Sequence, residues 1–129
     1  MSAAKSNVTA KSTVFVVDDE PDLLTAIGDI LQITLGCAVR TFRDPETALK
    51  EFTAAPPEVL VTDYAMGRMT GMDLIRECRR LNPRQKMILL SGTVDEHVFA
   101  DAPVKPDRFL TKPYQIQELA ERVRALLAA

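Results

Sequence analysis

The sequence has few cysteines, no long apolar run and no excess of charge of either sign. Its two cysteines, Cys37 and Cys78, are too few and too far apart for a disulfide framework or a cysteine-ligated zinc site. Apolar runs extend over only a few residues, so no membrane-spanning helix is predicted. The 16 basic and 18 acidic residues give a net charge of −2, whereas nucleic-acid binding favours a basic face. We expect a single cytoplasmic domain.

Several common catalytic signatures are also missing. No glycine-rich loop follows the first apolar run, which disfavours a dinucleotide cofactor or a P-loop nucleotide. The only histidine, His97, has no serine or cysteine arrangement around it that would indicate a hydrolase triad. Residues 1–12 lack the apolar stretch of a secretion signal, and their small, polar composition predicts a mobile tail before a domain of residues 13–129.

The sequence does have five short apolar runs that alternate with helix-like segments. These runs are too short for helices, and such runs are typical of strands buried on both faces of a sheet. We predict strands at residues 13–17, 37–42, 59–62, 87–90 and 108–111. A helix is predicted after each strand, and the fourth of these, at residues 94–100, is short and weak.

This alternation predicts an α/β fold. Strands that alternate with helices form a parallel sheet with helices on both faces. Right-handed crossovers leave few topologies, of which the flavodoxin-like order 2-1-3-4-5 is the commonest for five strands. We therefore expect a three-layer sandwich with a five-stranded parallel sheet and five helices on its two faces.

Polar side chains follow four of the five predicted strands. Ligands of open parallel sheets bind beyond the carboxyl ends of the strands, so these side chains define a candidate site. They are Asp18, Asp19 and Glu20 after the first strand, Asp63 after the third, Ser91 and Gly92 after the fourth, and Lys112 after the fifth. The sequence thus predicts that carboxylates, a hydroxyl and an ammonium group meet at one edge of the sheet.

This set of groups favours phosphoryl transfer. Carboxylates that lie close together raise one another's pKa or recruit a cation, and oxygen ligands with open positions suit Mg²⁺. A carboxylate can attack phosphorus to form an aspartyl phosphate, while the metal and Lys112 neutralise the transferred charge. The hydroxyl of Ser91 can bind the same anion. We therefore predict Mg²⁺ as the cofactor.

The sequence resembles the receiver domain of two-component response regulators. The matching pieces are VVDDE at 16–20, LVTDYAM at 60–66 with MTGM at 69–72, LSG at 90–92 and LTKP at 110–113. The similarity extends from residue 13 to about residue 127. It implies that Asp63 accepts a phosphoryl group from a histidine kinase or phosphotransfer protein. The domain would then be a switch that catalyses its own phosphorylation and dephosphorylation, read by a downstream protein or effector domain.

The resemblance also implies how the other site residues act. Asp19 and Asp63 would ligate Mg²⁺ together with the backbone carbonyl of Ala65, and Asp18 would act largely through a bound water. Ser91 would bind one phosphoryl oxygen and move toward it on activation. Lys112 would pair with another phosphoryl oxygen.

The resemblance also implies a conformational switch that changes a face of the domain away from the site. Phe109 occupies the aromatic switch position of the family, and Lys112-Pro113 resembles its cis peptide bond, since only X-Pro bonds adopt the cis form readily. The face of the fourth helix, fifth strand and fifth helix could form a homodimer. This chain departs from the family pattern at Gly67, where many receivers have proline, and at Phe109, which lacks a tyrosine hydroxyl.

Two alternatives to the phosphorylation switch remain open at this point. The first is an interaction module that resembles a receiver but works independently of phosphate. The second is an aspartyl-phosphate hydrolase of the haloacid dehalogenase type, although such enzymes have their nucleophile in an early D-x-D motif and a longer chain. The sequence names neither a kinase nor an output partner, and both a free-standing regulator and a part of a longer protein fit it.

Overall fold

A five-stranded parallel sheet forms the centre of the protein. The computed structural model describes residues 12–92 and 95–129. The strand order is β2-β1-β3-β4-β5, and every pair of neighbours is parallel. The strands are β1 (Thr13–Val17), β2 (Ala38–Phe42), β3 (Val59–Asp63), β4 (Lys86–Ser91) and β5 (Arg108–Thr111). The predicted flavodoxin-like order is thus confirmed.

Four α-helices in the described part of the chain cover the two faces of the sheet. They are α1 (Pro21–Leu35), α2 (Pro45–Ala54), α3 (Gly71–Leu81) and α4 (Ile116–Ala128). Helices α1 and α4 contact each other on one face, and α2 and α3 contact each other on the other. No helix in the described part of the chain is long and apolar enough to cross a membrane.

Successive residues of the strands point to opposite faces and build two separate apolar cores. Val14 and Val16 of β1 pack under α1 and α4, whereas Phe15 and Val17 pack under α2 and α3. The inner strands β1, β3 and β4 are therefore apolar on both sides, which explains why they read as continuous apolar runs in the sequence, whereas β2 and β5 at the edges are partly exposed. A sheet without a solvated face leaves its ends as the places for charged side chains.

The prediction of a helix at residues 94–100, the fourth of the five predicted helices, was wrong. The described part of this segment forms a single 3-10 turn, Glu96–Phe99, with no fully buried residue. Four residues make little more than one turn and offer no apolar stripe to pack on the sheet, and Pro103 and Pro106 follow closely. His97 is exposed. Val94, where the predicted helix starts, lies outside the described residues.

The first described residue is already tied to the sheet. Ser12 is buried, and its carbonyl accepts a hydrogen bond of 2.8 Å from the backbone N–H of Ala38. The other residues of the predicted tail, 1–11, lie outside the described residues. The domain start at residue 13 stays a prediction.

Local signals fix where the helices begin and end. Pro21 and Pro45 begin α1 and α2, at positions where the missing N–H costs no hydrogen bond, and Gly36 ends α1 with a φ of 69°. Helix α3 begins with a capping box. The Thr70 hydroxyl accepts from the Asp73 N–H at 3.1 Å, and the Asp73 carboxylate accepts from the Thr70 N–H at 3.0 Å.

Removal of this cap should destabilise the domain. Thr70→Ala leaves the Asp73 N–H without its acceptor, and we expect the free energy of unfolding to fall by about 1 kcal/mol. Urea denaturation followed by circular dichroism measures the change. Thr53→Ala is the matched control, because the exposed Thr53 hydroxyl only donates to the Leu49 carbonyl within α2. Equal losses in the two variants would contradict the capping role.

Candidate functional site

Three carboxylates lie together at the carboxyl ends of β1 and β3. These strands are neighbours with Val17 opposite Thr62, so the next residues, Asp18 and Asp63, reach the same edge of the sheet. Oxygen atoms of Asp18, Asp19 and Asp63 lie within 4.8 Å of one another. Asp18 is 1% and Asp63 5% exposed, whereas Asp19 is open to solvent. We call these three residues the acidic cluster.

Lys112 brings a positive charge to the acidic cluster from the end of β5. Its Nζ lies 2.8 Å from Asp63 Oδ1 and 3.9 Å from Asp18 Oδ2. The Lys112 backbone N–H donates to the Ser91 carbonyl at 2.8 Å, which continues the β4–β5 ladder to this point. The Lys112-Pro113 peptide bond is cis, as the sequence indicated. The ammonium group therefore contacts the Asp63 carboxylate directly and Asp18 only at longer range.

Burial controls the protonation of Asp18. It raises the Asp18 pKa from 3.8 to about 6, and the neighbouring charge of Asp63 adds to this effect. A hydrogen bond of 2.9 Å from the Glu20 N–H to Asp18 Oδ1 lowers the pKa, but by less than burial raises it. Asp18 Oδ2 is buried and accepts no hydrogen bond from the described residues.

Lys112 stays protonated beside these carboxylates. Partial burial by itself lowers the Lys112 pKa, but the hydrogen bond to Asp63 and the charges of Asp63 and Asp18 outweigh it, so that the pKa is raised overall. The ammonium group therefore keeps its charge at neutral pH. It can pair with Asp63 or with an anion that is attached to it.

The acidic cluster has the composition of a site for a hard cation. All its ligand atoms are carboxylate oxygens, and Asp18 Oδ2 is a buried acceptor with no donor among residues 12–92 and 95–129. Such oxygen sets, with room for water, suit Mg²⁺ rather than a softer metal. The residues present thus fit the predicted ion. The contribution of the Ala65 carbonyl stays a prediction.

Ser91 and Phe109 lie near the site on β4 and β5. Ser91 is buried and follows Leu90, the residue opposite Asp63, so its position is at the same edge of the sheet. Phe109 is half-buried, and its ring centroid lies 6.1 Å from that of Phe99. The roles of the Ser91 hydroxyl and of Phe109 as a switch stay predictions.

Three aromatic rings connect the acidic cluster with the β4–β5 connection. Phe99 of the 3-10 turn lies between Phe109 and Tyr64, with its centroid 5.4 Å from that of Tyr64. Tyr64 directly follows Asp63 in the chain. Sequence analysis did not detect this row, because Tyr64 and Phe99 are far apart in the chain and come together only in the folded sheet.

Gly71 is a second feature that the sequence left without a role. A Cβ atom at this position would overlap the backbone oxygen of Asp63 and come within 2.7 Å of Leu89 Cδ1. The Gly71 N–H donates to the Tyr64 carbonyl at 2.8 Å. The start of α3 therefore packs directly on the backbone that carries Asp63. The sequence signal that could have indicated this role is that Gly71 lies within the MTGM segment at 69–72, one of the pieces that resemble the receiver family.

A 2-1-3-4-5 parallel sheet with an acidic cluster and a lysine at its carboxyl edge places the protein among flavodoxin-like signalling domains. The model of the response regulator receiver domain family matches residues 14–124. The chain therefore belongs to the receiver domain family of two-component response regulators. This family match sets aside the hydrolase alternative.

Relatives and solved structures agree with this assignment. The chain is 33% identical over 117 residues to the probable transcriptional regulatory protein TcrX of Mycobacterium tuberculosis, covering 89% of this chain and 49% of that protein. A receiver domain protein from Clostridium thermocellum is 28% identical with a TM-score of 0.80, covering 90% of this chain and 94% of that one. The receiver domain of Francisella response regulator 1452 is 26% identical with a TM-score of 0.82, covering 91% and 97%. The chain spans about half the length of the curated relatives it matches.

Gly71→Ala tests the close packing behind Asp63. The added methyl group forces α3 away from the Asp63 backbone, and overpacking of this kind costs about 1–3 kcal/mol of unfolding free energy. Gly28→Ala is the matched control, since its Cβ would meet side-chain atoms alone, Thr41 Cγ2 at 3.4 Å and Val39 Cγ1 at 3.9 Å, and alanine favours the helix by about 1 kcal/mol. Urea denaturation compares the two. A Gly71→Ala protein as stable as Gly28→Ala would refute the close approach.

The raised pKa of Asp18 predicts a pH dependence of stability in metal-free buffer. The folded state binds a proton at the Asp18 carboxyl more tightly than the unfolded state does. The resulting stabilisation is complete below pH 3.8 and is lost as the pH rises to about 6. Asp18→Asn should therefore be more stable than the wild type at pH 7, by on the order of 2–3 kcal/mol, and equal to it near pH 4. Chemical denaturation across this range measures the difference. Asp29→Asn, at an exposed position on α1, should keep the wild-type profile.

Proposed function

We propose that this receiver domain is a signalling switch in which Asp63 accepts a phosphoryl group. The observation that carries the proposal is the contact of 2.8 Å between Lys112 Nζ and Asp63 Oδ1 inside a cluster of three carboxylates. Asp63 is thereby the carboxylate with a fixed cation beside it. Phosphoryl transfer needs mainly positioning and charge neutralisation, and both are available at this position.

The reaction transfers a phosphoryl group from a phosphohistidine to Asp63. A carboxylate oxygen of Asp63 attacks phosphorus, the O–P bond forms, and the P–N bond of the donor breaks with its electron pair going to the imidazole nitrogen. Lys112 exchanges its contact with the free carboxylate for one with a phosphoryl oxygen, and the Ser91 hydroxyl binds another. Attack of water on the same phosphorus later restores Asp63 and releases phosphate.

Mg²⁺ is the cofactor that the acidic cluster would hold. Asp19 and Asp63, together with the Ala65 carbonyl, would bind the ion, and Asp18 would act through a bound water. When bound, the ion supplies positive charge that offsets the negative charge of the transferred group. The buried Asp18 carboxylate, whose Oδ2 has no donor, supports this assignment.

A histidine kinase or phosphotransfer protein would supply the phosphoryl group, and a downstream protein or effector domain would read the modified state. Phe109 has no hydroxyl, so it would act by ring packing, and its neighbour Phe99 would transmit the change to the 3-10 turn. The homodimer through the face of the predicted fourth helix, β5 and α4, and the cytoplasmic location stay predictions, although the predicted fourth helix is a single 3-10 turn. A phosphate-independent module is not favoured, because such a module gains nothing from two buried carboxylates held beside a lysine.

Treatment with acetyl phosphate and Mg²⁺ tests the proposed function. Intact mass spectrometry should detect one added phosphoryl group on the wild type and none on Asp63→Asn. Addition of EDTA should abolish the gain, because the acidic cluster then lacks its neutralising ion. Asp107→Asn is the matched control, since Asp107 pairs with Arg79 away from the cluster, and it should be phosphorylated like the wild type. Equal phosphorylation of wild type and Asp63→Asn would end this assignment.

A further inference from the structure

Two buried polar atoms without a partner belong to the surroundings of the acidic cluster. Across residues 12–92 and 95–129, three buried side-chain polar atoms have no hydrogen-bond partner: Asp18 Oδ2, Tyr114 Oη and Arg79 Nε. A buried polar atom without a partner is rare and costly, so each needs an explanation. Asp18 Oδ2 is an acceptor and Tyr114 Oη can donate. Each of these two atoms has the hydrogen-bonding capacity that the other lacks.

Tyr114 lies beside Lys112 in the structure as well as in the sequence. It follows the cis Lys112-Pro113 bond, and it lines a pocket of about 440 Å³ together with Lys112, Gly92 and Leu23. Its ring is half-buried against the core under α1 and α4. This packing fixes the ring, and its side chain shares the pocket with the lysine that contacts Asp63.

The electrostatics keep the Tyr114 hydroxyl protonated. Burial raises the Tyr114 pKa to about 12, and the charges of Asp18 and Asp63 contribute to this increase. The negative charges of the two carboxylates thus disfavour a phenolate at this position. At neutral pH the phenol keeps its O–H and remains a donor.

We propose that Tyr114 is a positioning residue for the cation site, and that one buried water links its hydroxyl to Asp18 Oδ2. The water accepts a hydrogen bond from Tyr114 and donates one to Asp18. Lys112 Nζ, which is 3.9 Å from Asp18 Oδ2 and too far for a direct hydrogen bond, can donate to the same water. A buried water commonly has about three such partners. The proposal rests on the proposed function of the acidic cluster.

This link would hold the Asp18 carboxylate in one orientation. Carboxylates at metal sites are commonly fixed by hydrogen bonds from residues that do not touch the ion, and the loss of such a bond weakens metal binding about 10–100-fold. Tyr114 thus contributes to the affinity for the cation while remaining separate from the group that reacts. The substitution Tyr114→Phe removes only this hydroxyl and therefore isolates its effect on metal binding.

Tyr114→Phe tests the proposal because it removes the hydroxyl and keeps the ring. A Mg²⁺ titration followed by amide chemical shifts should give a dissociation constant about tenfold higher than that of the wild type. The Mg²⁺ concentration for half-maximal phosphorylation by acetyl phosphate should rise equally, with an unchanged rate at saturating Mg²⁺. The thermal unfolding midpoint in metal-free buffer should stay close to the wild-type value. A crystal structure should contain a water within hydrogen-bond distance of both Tyr114 Oη and Asp18 Oδ2.

Tyr64→Phe is the matched control, since Tyr64 is also half-buried near Asp63 and its ring packs on Phe99 instead. It should bind Mg²⁺ like the wild type. A Tyr114→Phe protein with the wild-type dissociation constant would overturn the role of Tyr114 and leave the proposed function intact. A wild-type protein that binds no Mg²⁺ would instead refute the cation site itself and this proposal with it.

Discussion

The burial of two carboxylates beside one lysine is the constraint on which the site depends. Asp18 and Asp63 are almost completely removed from solvent, and their charges oppose each other. Lys112 offsets only part of the free-energy cost of burying these two charges, because it contacts Asp63 closely and Asp18 at longer range. The site thus holds more buried negative charge than its single lysine neutralises. This excess of buried negative charge favours a cation, and under the proposed function it would make the domain respond to a phosphoryl group on Asp63.

The double-sided core determines where this charge can be. Because β1, β3 and β4 are apolar on both faces, a charged side chain within them would have to enter one of the two cores. The carboxyl ends of the strands are the positions where the chain leaves both cores at once. Neighbouring parallel strands bring these ends together, so residues that are far apart in sequence become one site. The parallel pairing of the strands therefore determines both the architecture of the sheet and the position of the acidic cluster.

The sequence was sufficient for the parts of the structure that follow from local patterns. Apolar runs predicted all five strands, and the polar residues that end them identified Asp18, Asp63 and Lys112. It failed at residues 94–100, where weak helical spacing could not outweigh the short length and the prolines. It also missed Tyr114, Phe99 and Gly71, whose importance arises from contacts across the sheet. The spacing of residues in the chain contains no information about which ring meets which, or about where a Cβ would collide.

None of the described residues between β4 and β5, where the 3-10 turn lies, is fully buried, and Phe99, Ala102 and Val104 pack against the core only in part. Phe99 holds the turn through its neighbouring rings, and the Arg79–Asp107 pair holds the end of the connection. Segments with so few buried contacts open at a small fraction of the free energy of global unfolding. Substitutions here would alter the shape offered to other molecules and spare both cores. Sequence changes in this connection would therefore alter which partner binds the domain while both cores stay unchanged.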